Sequence, residues 1–338
     1  MKSFSQIKGR SAEYARNRIK LLLVSERIDC SPQMINMLKK LRFSMVRHWQ
    51  LYLLLLPTLV FFVMFKYIPM LGVQIAFRDY WASKGIWGSN WVGLKHFSRF
   101  FSSYASENVI RNTIILSVYQ LLLTFPFPII LALMLNNVTN TRYKKIVQTV
   151  TYMPHFISTV VLVSTMMIMF SPSVGIVNHL LKRFGFDEIY FFGDAAWFRH
   201  LYVISAVWQT TGWNSIIYLA ALTSIDPSLH EAAMIDGATK LQRVRHIDLP
   251  GIAPTIVVML ILASGNLMSI GHEKVYLMQT SLNLDTSEII STYVYKIGLL
   301  NNQFSYSTAI NLFNSVINAV ILVSVNSLSR KISDSSLW

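Results

Sequence analysis

Charged side chains along this chain fall in clusters, and long apolar stretches without charge separate the clusters. Such stretches occupy 49–65 (continuing past Lys66 to 77), 113–135, 146–170, 201–222, 252–271 and 309–329. A hydrocarbon core about 30 Å thick is crossed by roughly 20 apolar residues of helix. Lipid offers the backbone no partner, so each crossing segment must satisfy its own peptide groups as a helix. The pattern predicts an all-α membrane protein with six transmembrane helices. Lys66 interrupts the first stretch near its far end, where its long stem carries the ammonium to the headgroups.

The clusters set an expected orientation. Of the 30 Lys and Arg, 19 lie in 1–48, in the second and fourth connections and after the sixth stretch, while nine lie in the first, third and fifth connections. Positively charged loops stay cytoplasmic. Both termini are therefore expected inside, with a basic tail over 1–48, a membrane domain over 49–329 and a short tail over 330–338. No small-residue cleavage site follows the first apolar stretch, which is expected to remain as a helix. Within the basic tail Ser31-Pro32 reads as a helix start, and Met34, Met37, Leu38, Leu41 and Met45 recur at helical spacing beside Lys39, Lys40 and Arg42. That face suits a helix lying on the inner membrane surface or one docked on a cytoplasmic partner.

Composition narrows the function classes. With 53% hydrophobic and 14% charged residues and a mean hydropathy of +0.44, the 338-residue chain has too little charge to cover a soluble globule. The net charge of +14 is accounted for by the loop asymmetry, so no nucleic-acid partner is needed to explain it. Cys30 is the single cysteine, and His272-Glu273 has no second His one turn on, so neither a disulfide nor a zinc hydrolase site is expected. No Gly-Lys pair occurs, so the chain has no P-loop of its own.

The fourth connection, 226–250, carries the most information. Asp226 followed by Pro227 is a helix start, and Gly237 suits a helix end in the left-handed conformation, which predicts a short helix, a turn and a second helix. Leu229, Ala232 and Ala233 share one face of the first; Ala238, Leu241 and Val244 line the second. An apolar patch outside the bilayer needs a cover. Ser228 and Glu231 have the spacing of a capping box, and Asp236 beside Gly237 has the chemistry to bond its own turn.

In order and spacing, Glu231-Ala232-Ala233, Asp236-Gly237-Ala238, Ile247, Leu249-Pro250 and Pro254 resemble the EAA loop of integral permease subunits of bacterial ABC importers, above all the sugar-importing group. Val244 stands where those permeases more often carry an aromatic residue. The stretches 91–97, 153–157, 212–215, 291–295 and 329–338 are similar to the subgroup associated with larger oligosaccharides or polysaccharide fragments; the basic tail is longer than is usual there.

The resemblance implies a type I importer permease in the bacterial cell membrane, with 226–250 as a cytoplasmic coupling loop. It implies a second permease subunit in a heterodimer, two ABC ATPase subunits that bind the ATP and Mg, an extracytoplasmic solute-binding protein and a carbohydrate substrate. The chain itself would hold no cofactor or metal and carry out no catalysis. Glu231 would offer its carboxylate to a basic group on the ATPase, and Gly237 would set the angle between the two short helices. Ala232, Ala233, Asp236, Ala238, Leu249 and Pro250 would complete the docking element.

Sugar sites combine aromatic faces with amides and hydroxyls. The fourth stretch offers Trp208, Gln209, Trp213, Asn214 and Tyr218, the last two one turn apart, and the fifth offers Asn266 and Ser269. Polar groups at membrane depth face protein or water, which makes these candidates for a substrate pathway. Interhelical hydrogen bonds and an interfacial aromatic belt are the competing account. His155 beside Pro154 has the chemistry of a proton relay or of a neutral hydrogen-bonded ring. A secondary transporter would bury ionisable residues in mid-span, and five of the six stretches hold no Asp, Glu, Lys or Arg. A membrane enzyme would need a cluster of nucleophile, base or metal ligands, which the sequence does not display.

Overall fold

The computed structural model describes residues 47–332 and Ser336. The expected surface helix around 31–45 and most of the C-terminal tail lie outside the described residues. Two units divide the chain, one ending at Leu71 and the other beginning at Gly72. The first contains α1 (Trp49–Phe62), continued by a π turn over Val63–Tyr67 that carries Lys66. Apolar side chains surround α1 on every side, which is the character of a helix in lipid.

The second unit opens with an antiparallel ribbon of β1 (Arg78–Asp79) and β2 (Asn90–Trp91), paired as Arg78 with Trp91 and Asp79 with Asn90, followed by α2 (Lys95–Phe101). Helices α3 (Tyr104–Thr124) and α4 (Pro126–Asn136) follow, then α5 (Thr141–Tyr152), α6 (Thr159–Met169), α7 (Ile176–Arg183) and α8 (Ala195–Thr223). Beyond them lie α9 (Pro227–Ile235), α10 (Lys240–Arg243), α11 (Leu249–Gly265), α12 (His272–Met278), α13 (Leu284–Ser287), α14 (Ile290–Tyr295) and α15 (Phe304–Ile332).

Among the described residues four helical stretches are long and apolar enough to cross a bilayer: Trp49–Phe77, Tyr104–Asn136, Lys240–Gly265 and Phe304–Lys331. A fifth is reached only if a bent pair counts as one span. These stretches make the chain a multi-pass membrane protein. The expected continuous helix over 146–170 is not formed. Instead Thr141–Phe156 and Thr159–Met169 meet at 99°. Pro154 lacks an amide hydrogen, and Ser158 adopts extended backbone and caps α6 by accepting from Val161 N–H at 3.4 Å. The expected fourth span is the 29-residue α8. At about 43 Å it is long enough, but Gln209, Thr210, Thr211, Asn214 and Ser215 make its middle more polar than the four stretches above. The fifth stretch ends at Gly265, with Asn266 as its cap, rather than at 271.

Helix α8 is central to the packing of this unit. One apolar cluster joins its Phe198, Leu201, Tyr202 and Val203 to Leu162, Val163, Val275 and Ile289; a second joins its Tyr218, Leu219 and Leu222 to Ile129, Leu135 and Ile252. At Gly212 the helix meets α5 so closely that a Cβ would run into the carbonyl of Thr151. Buried amides pin the connections at the end of α8 remote from 226–250. Asn178 takes the Ile189 N–H at 2.9 Å and donates to Ile189 O at 3.0 Å. Asn112 donates to Asp285 O and Glu288 O at 2.8 and 3.1 Å while accepting from Arg199 at 2.8 Å.

Candidate functional site

The loop between α8 and α11 is built from local capping. Asp226 accepts from Ser228 N–H at 2.9 Å, and Pro227 occupies the first helical position, where its missing N–H costs nothing. That hydrogen bond holds the Asp226 carboxyl below its ordinary range. Because Asp226 is the cap, the reciprocal Ser228–Glu231 pairing is not formed. At the other end Gly237, at φ +78°, bonds Met234 O at 3.1 Å, and Ala238 N–H reaches Ala233 O at 2.8 Å, which is a Schellman closure. Thr239 and Gln242 then form a capping box for α10. The chain runs on through a π turn over Val244–Asp248 into α11. The second helix of the loop is thus the foot of the next membrane helix rather than a separate element.

Two contacts tie the loop to that foot, one from α9 itself and one from Ile225 just before it. His230 Nε2 lies 3.3 Å from Asp248 Oδ1, and Asp248 is 1% exposed. Next to it Gly251 packs under Ile225; a Cβ there would come within 2.6 Å of Cδ1. What remains uncovered is a set of apolar side chains, Leu229, Met234 and Ile235 around α9 and Leu241 on α10, with Ile235 and Leu241 87% and 77% exposed. The carboxylates of Glu231 and Asp236 are exposed and make no hydrogen bond or ion pair. Ala232 is exposed, Ala233 and Ala238 are half-buried, and Leu249 and Pro250 open α11. The arrangement is a rigid, anchored helix presenting grease and free negative charge.

The expected pathway residues fall in separate places. Gln209 donates to Ile157 O at 2.9 Å, catching a carbonyl freed by the bend between α5 and α6. Trp213 stacks on His155 with ring centres 4.5 Å apart and planes 2° from parallel, so His155 is an aromatic neighbour there. Trp208 borders an apolar hollow beside Met169 and Phe170. Asn214 is exposed, but Tyr218, one turn on, is buried in the second cluster, so the two do not share an open face. Asn266 and Ser269 line a cavity of about 260 Å³ with Ser117, Gln120 and Thr124 of α3.

Sequence reasoning missed the His230–Asp248 contact, which joins residues 18 apart in the chain. It also missed Asn311, Asn314 and Asn318 of α15. Their steps of three and four residues within an apolar stretch were a readable signal of one polar helix face.

In the second unit, membrane helices gathered around a central polar helix, with a short capped helix on one connection, have the build of a permease component of a transport machine. The chain belongs to the family described as binding-protein-dependent transport system inner membrane component, whose profile matches residues 124–334. A second profile, described as the septum formation topological specificity factor MinE, matches residues 1–48, nearly all outside the described residues. The chain is 43% identical over 300 residues to the polygalacturonan/rhamnogalacturonan transport system permease protein YteP of Bacillus subtilis, covering 89% of this chain and 94% of the relative. It is 43% identical to protein LplB of the same organism, covering 85% and 91%. Among solved structures it is similar to a chain of a bacterial ABC transporter involved in the import of the acidic polysaccharide alginate. The TM-score is 0.81 at 41% identity, over 87% of this chain and 99% of that one. A second structure of an alginate transporter, in complex with alginate pentasaccharide-bound periplasmic protein, matches with a TM-score of 0.81 at 40% identity.

Proposed function

We propose that this chain is one permease of an ATP-driven importer for fragments of an acidic polysaccharide. In this reading it spans the membrane six times with both termini cytoplasmic and lines half of the pathway beside a second, different permease. Two ATPases, carrying ATP and Mg, sit beneath it, and an extracytoplasmic binding protein delivers the saccharide. The observation that carries the coupling role is the geometry of α9, whose uncovered Leu229, Met234 and Ile235 and unpaired Glu231 call for a complementary partner while His230–Asp248 within the helix and Ile225–Gly251 just before it tie the loop to α11. When the partner ATPases close, α9 moves as a rigid body and the movement passes into α8 and α11. Two of the relatives support the substrate class, since polygalacturonan and alginate are both acidic polysaccharides.

The test is gentle affinity purification from native membranes, with every stoichiometric companion identified. The expected companions are an ATPase and a second membrane permease, and Glu231→Lys with Gly237→Val should release the ATPase while the second permease stays bound. Repeated recovery of a folded chain alone, even after crosslinking, would sink the importer reading and leave ion-coupled transport as the account to test.

A further inference from the structure

An open cavity of about 600 Å³ lies at the end of α11 remote from the 226–250 loop, lined by the α11–α12 link, α14 and the first turns of α15. Its size is within the range of small-molecule sites, roughly 300–1,000 Å³. Three amides on one face of α15 lead toward it with decreasing engagement. Asn318 is fully used, taking Met268 N–H at 2.9 Å and donating to Ser269 Oγ at 2.9 Å. Asn314 is half used: its Nδ2 donates to Met268 O at 3.3 Å, and its Oδ1 is buried with no donor. A carbonyl can only accept, so Met268 O selects the NH₂ of Asn314 and fixes the orientation that leaves the oxygen unpaired. Asn314 is 6% exposed and lines the cavity. Asn311, one turn nearer the mouth, also lines it, and its side-chain amide has no partner.

The remaining wall is aromatic and hydroxylic. Tyr295 packs against His272 and Tyr276 with ring centres 5.6 and 5.2 Å away. Phe304 and Ser307 of α15 also face the cavity. No Asp, Glu, Lys or Arg lines it. A buried acceptor without a donor carries a cost that a ligand hydroxyl would remove, and a tyrosine face is suited to the C–H surface of a sugar ring. An acyl chain would leave Asn314 unpaired, and a carboxylate would find no cation.

We infer that this cavity binds one sugar ring of the transported saccharide by its uncharged side, with the ring's C–H face on Tyr295 and hydroxyls donating to Asn314 Oδ1 and exchanging hydrogen bonds with Asn311. The inference rests on the saccharide-import reading above. It assigns ring recognition to α14 and α15, away from the aromatic and amide positions of α8.

The test uses the complete transporter in nanodiscs, with a rhamnogalacturonan tetrasaccharide delivered by its binding protein as the probe. Cys30 is the only native cysteine, so Cys30→Ser with Asn311→Cys places a single thiol at the cavity. Saturating tetrasaccharide should slow maleimide labelling of that thiol by about threefold or more through simple occupancy. Asn314→Leu should raise the half-saturating saccharide concentration for uptake by about tenfold, the loss of roughly one buried hydrogen bond. Transport that proceeds with labelling unaffected by saccharide overturns the inference. So does labelling blocked by assembly with the second permease alone, or blocked by lipid and restored in detergent. A complex that imports no saccharide at all removes the importer reading, and this inference falls with it. Loss of protection with transport intact removes this inference only.

Discussion

At Gly212 a single methyl group has nowhere to go, because the carbonyl of Thr151 occupies its position and cannot move without shifting α5. Gly212→Ala should cost about 1–3 kcal/mol, as overpacking does, and lower the melting temperature of the purified protein; an unchanged melting temperature would show that the two helices separate easily. Lys274 is a second exacting residue. It is buried beside Tyr202, donating to its carbonyl oxygen at 3.1 Å with the ring centre 4.7 Å away, and desolvation pulls its ammonium down to about 8. Unfolded, a lysine titrates near 10.4. Between those values the unfolded chain holds more protons than the folded one, so stability should rise as pH rises. The melting temperature should increase between about pH 8 and 9.5, and Lys274→Met should flatten that increase. Equal slopes in the two proteins would mean that Lys274 keeps its proton.

At the scale of elements, α9 is held by a carboxylate, an imidazole and a close glycine contact. Asp248→Asn keeps the shape but weakens the hold on His230, so the loop should still dock while passing less movement to α11. The expected signature is ATP hydrolysis retained with uptake per ATP reduced, measured in proteoliposomes; equal losses in both activities would indicate failed assembly instead. The shape of this loop was legible in the sequence because its signals are local: Asp226-Pro227 for the start and Gly237 for the end. The bend between α5 and α6 was not. Uncharged residues on both sides of Pro154 read as one apolar run, and the bend is completed by Gln209, 52 residues beyond Ile157, whose carbonyl it holds. Tyr218 was misread for a related reason. Helical spacing places it one turn from Asn214, but only the packing of α4 and α11 decides that the tyrosine is buried.

For the whole molecule, the expected topology rests on the concentration of basic residues on one side. Single cysteines in a Cys30→Ser background should separate accordingly. One at Ser228 should be reached by a membrane-impermeant maleimide only from the cytoplasmic side, and one at Asp187 only from outside. Both reacting from the same side would invalidate the six-span arrangement by removing α8, the one long helix between them, from the crossing segments; the two sides exchanged would instead remove an earlier span such as the α5–α6 pair.

The bend has a consequence for how the chain is made. Helix α6 has 11 residues, about 16 Å of rise against a core of about 30 Å. A segment that short gives a translocon little reason to release it into lipid. The partner that would compensate is α8, synthesised 25 residues after the end of α6 and itself too polar to be released alone. If α8 crosses as expected, the two should depend on each other during biogenesis and leave the translocon as a hairpin, closed by the hydrogen bond from Gln209 to the freed carbonyl of Ile157. Substitutions at this elbow should therefore show first as failed insertion during synthesis, before any effect on the rate of transport.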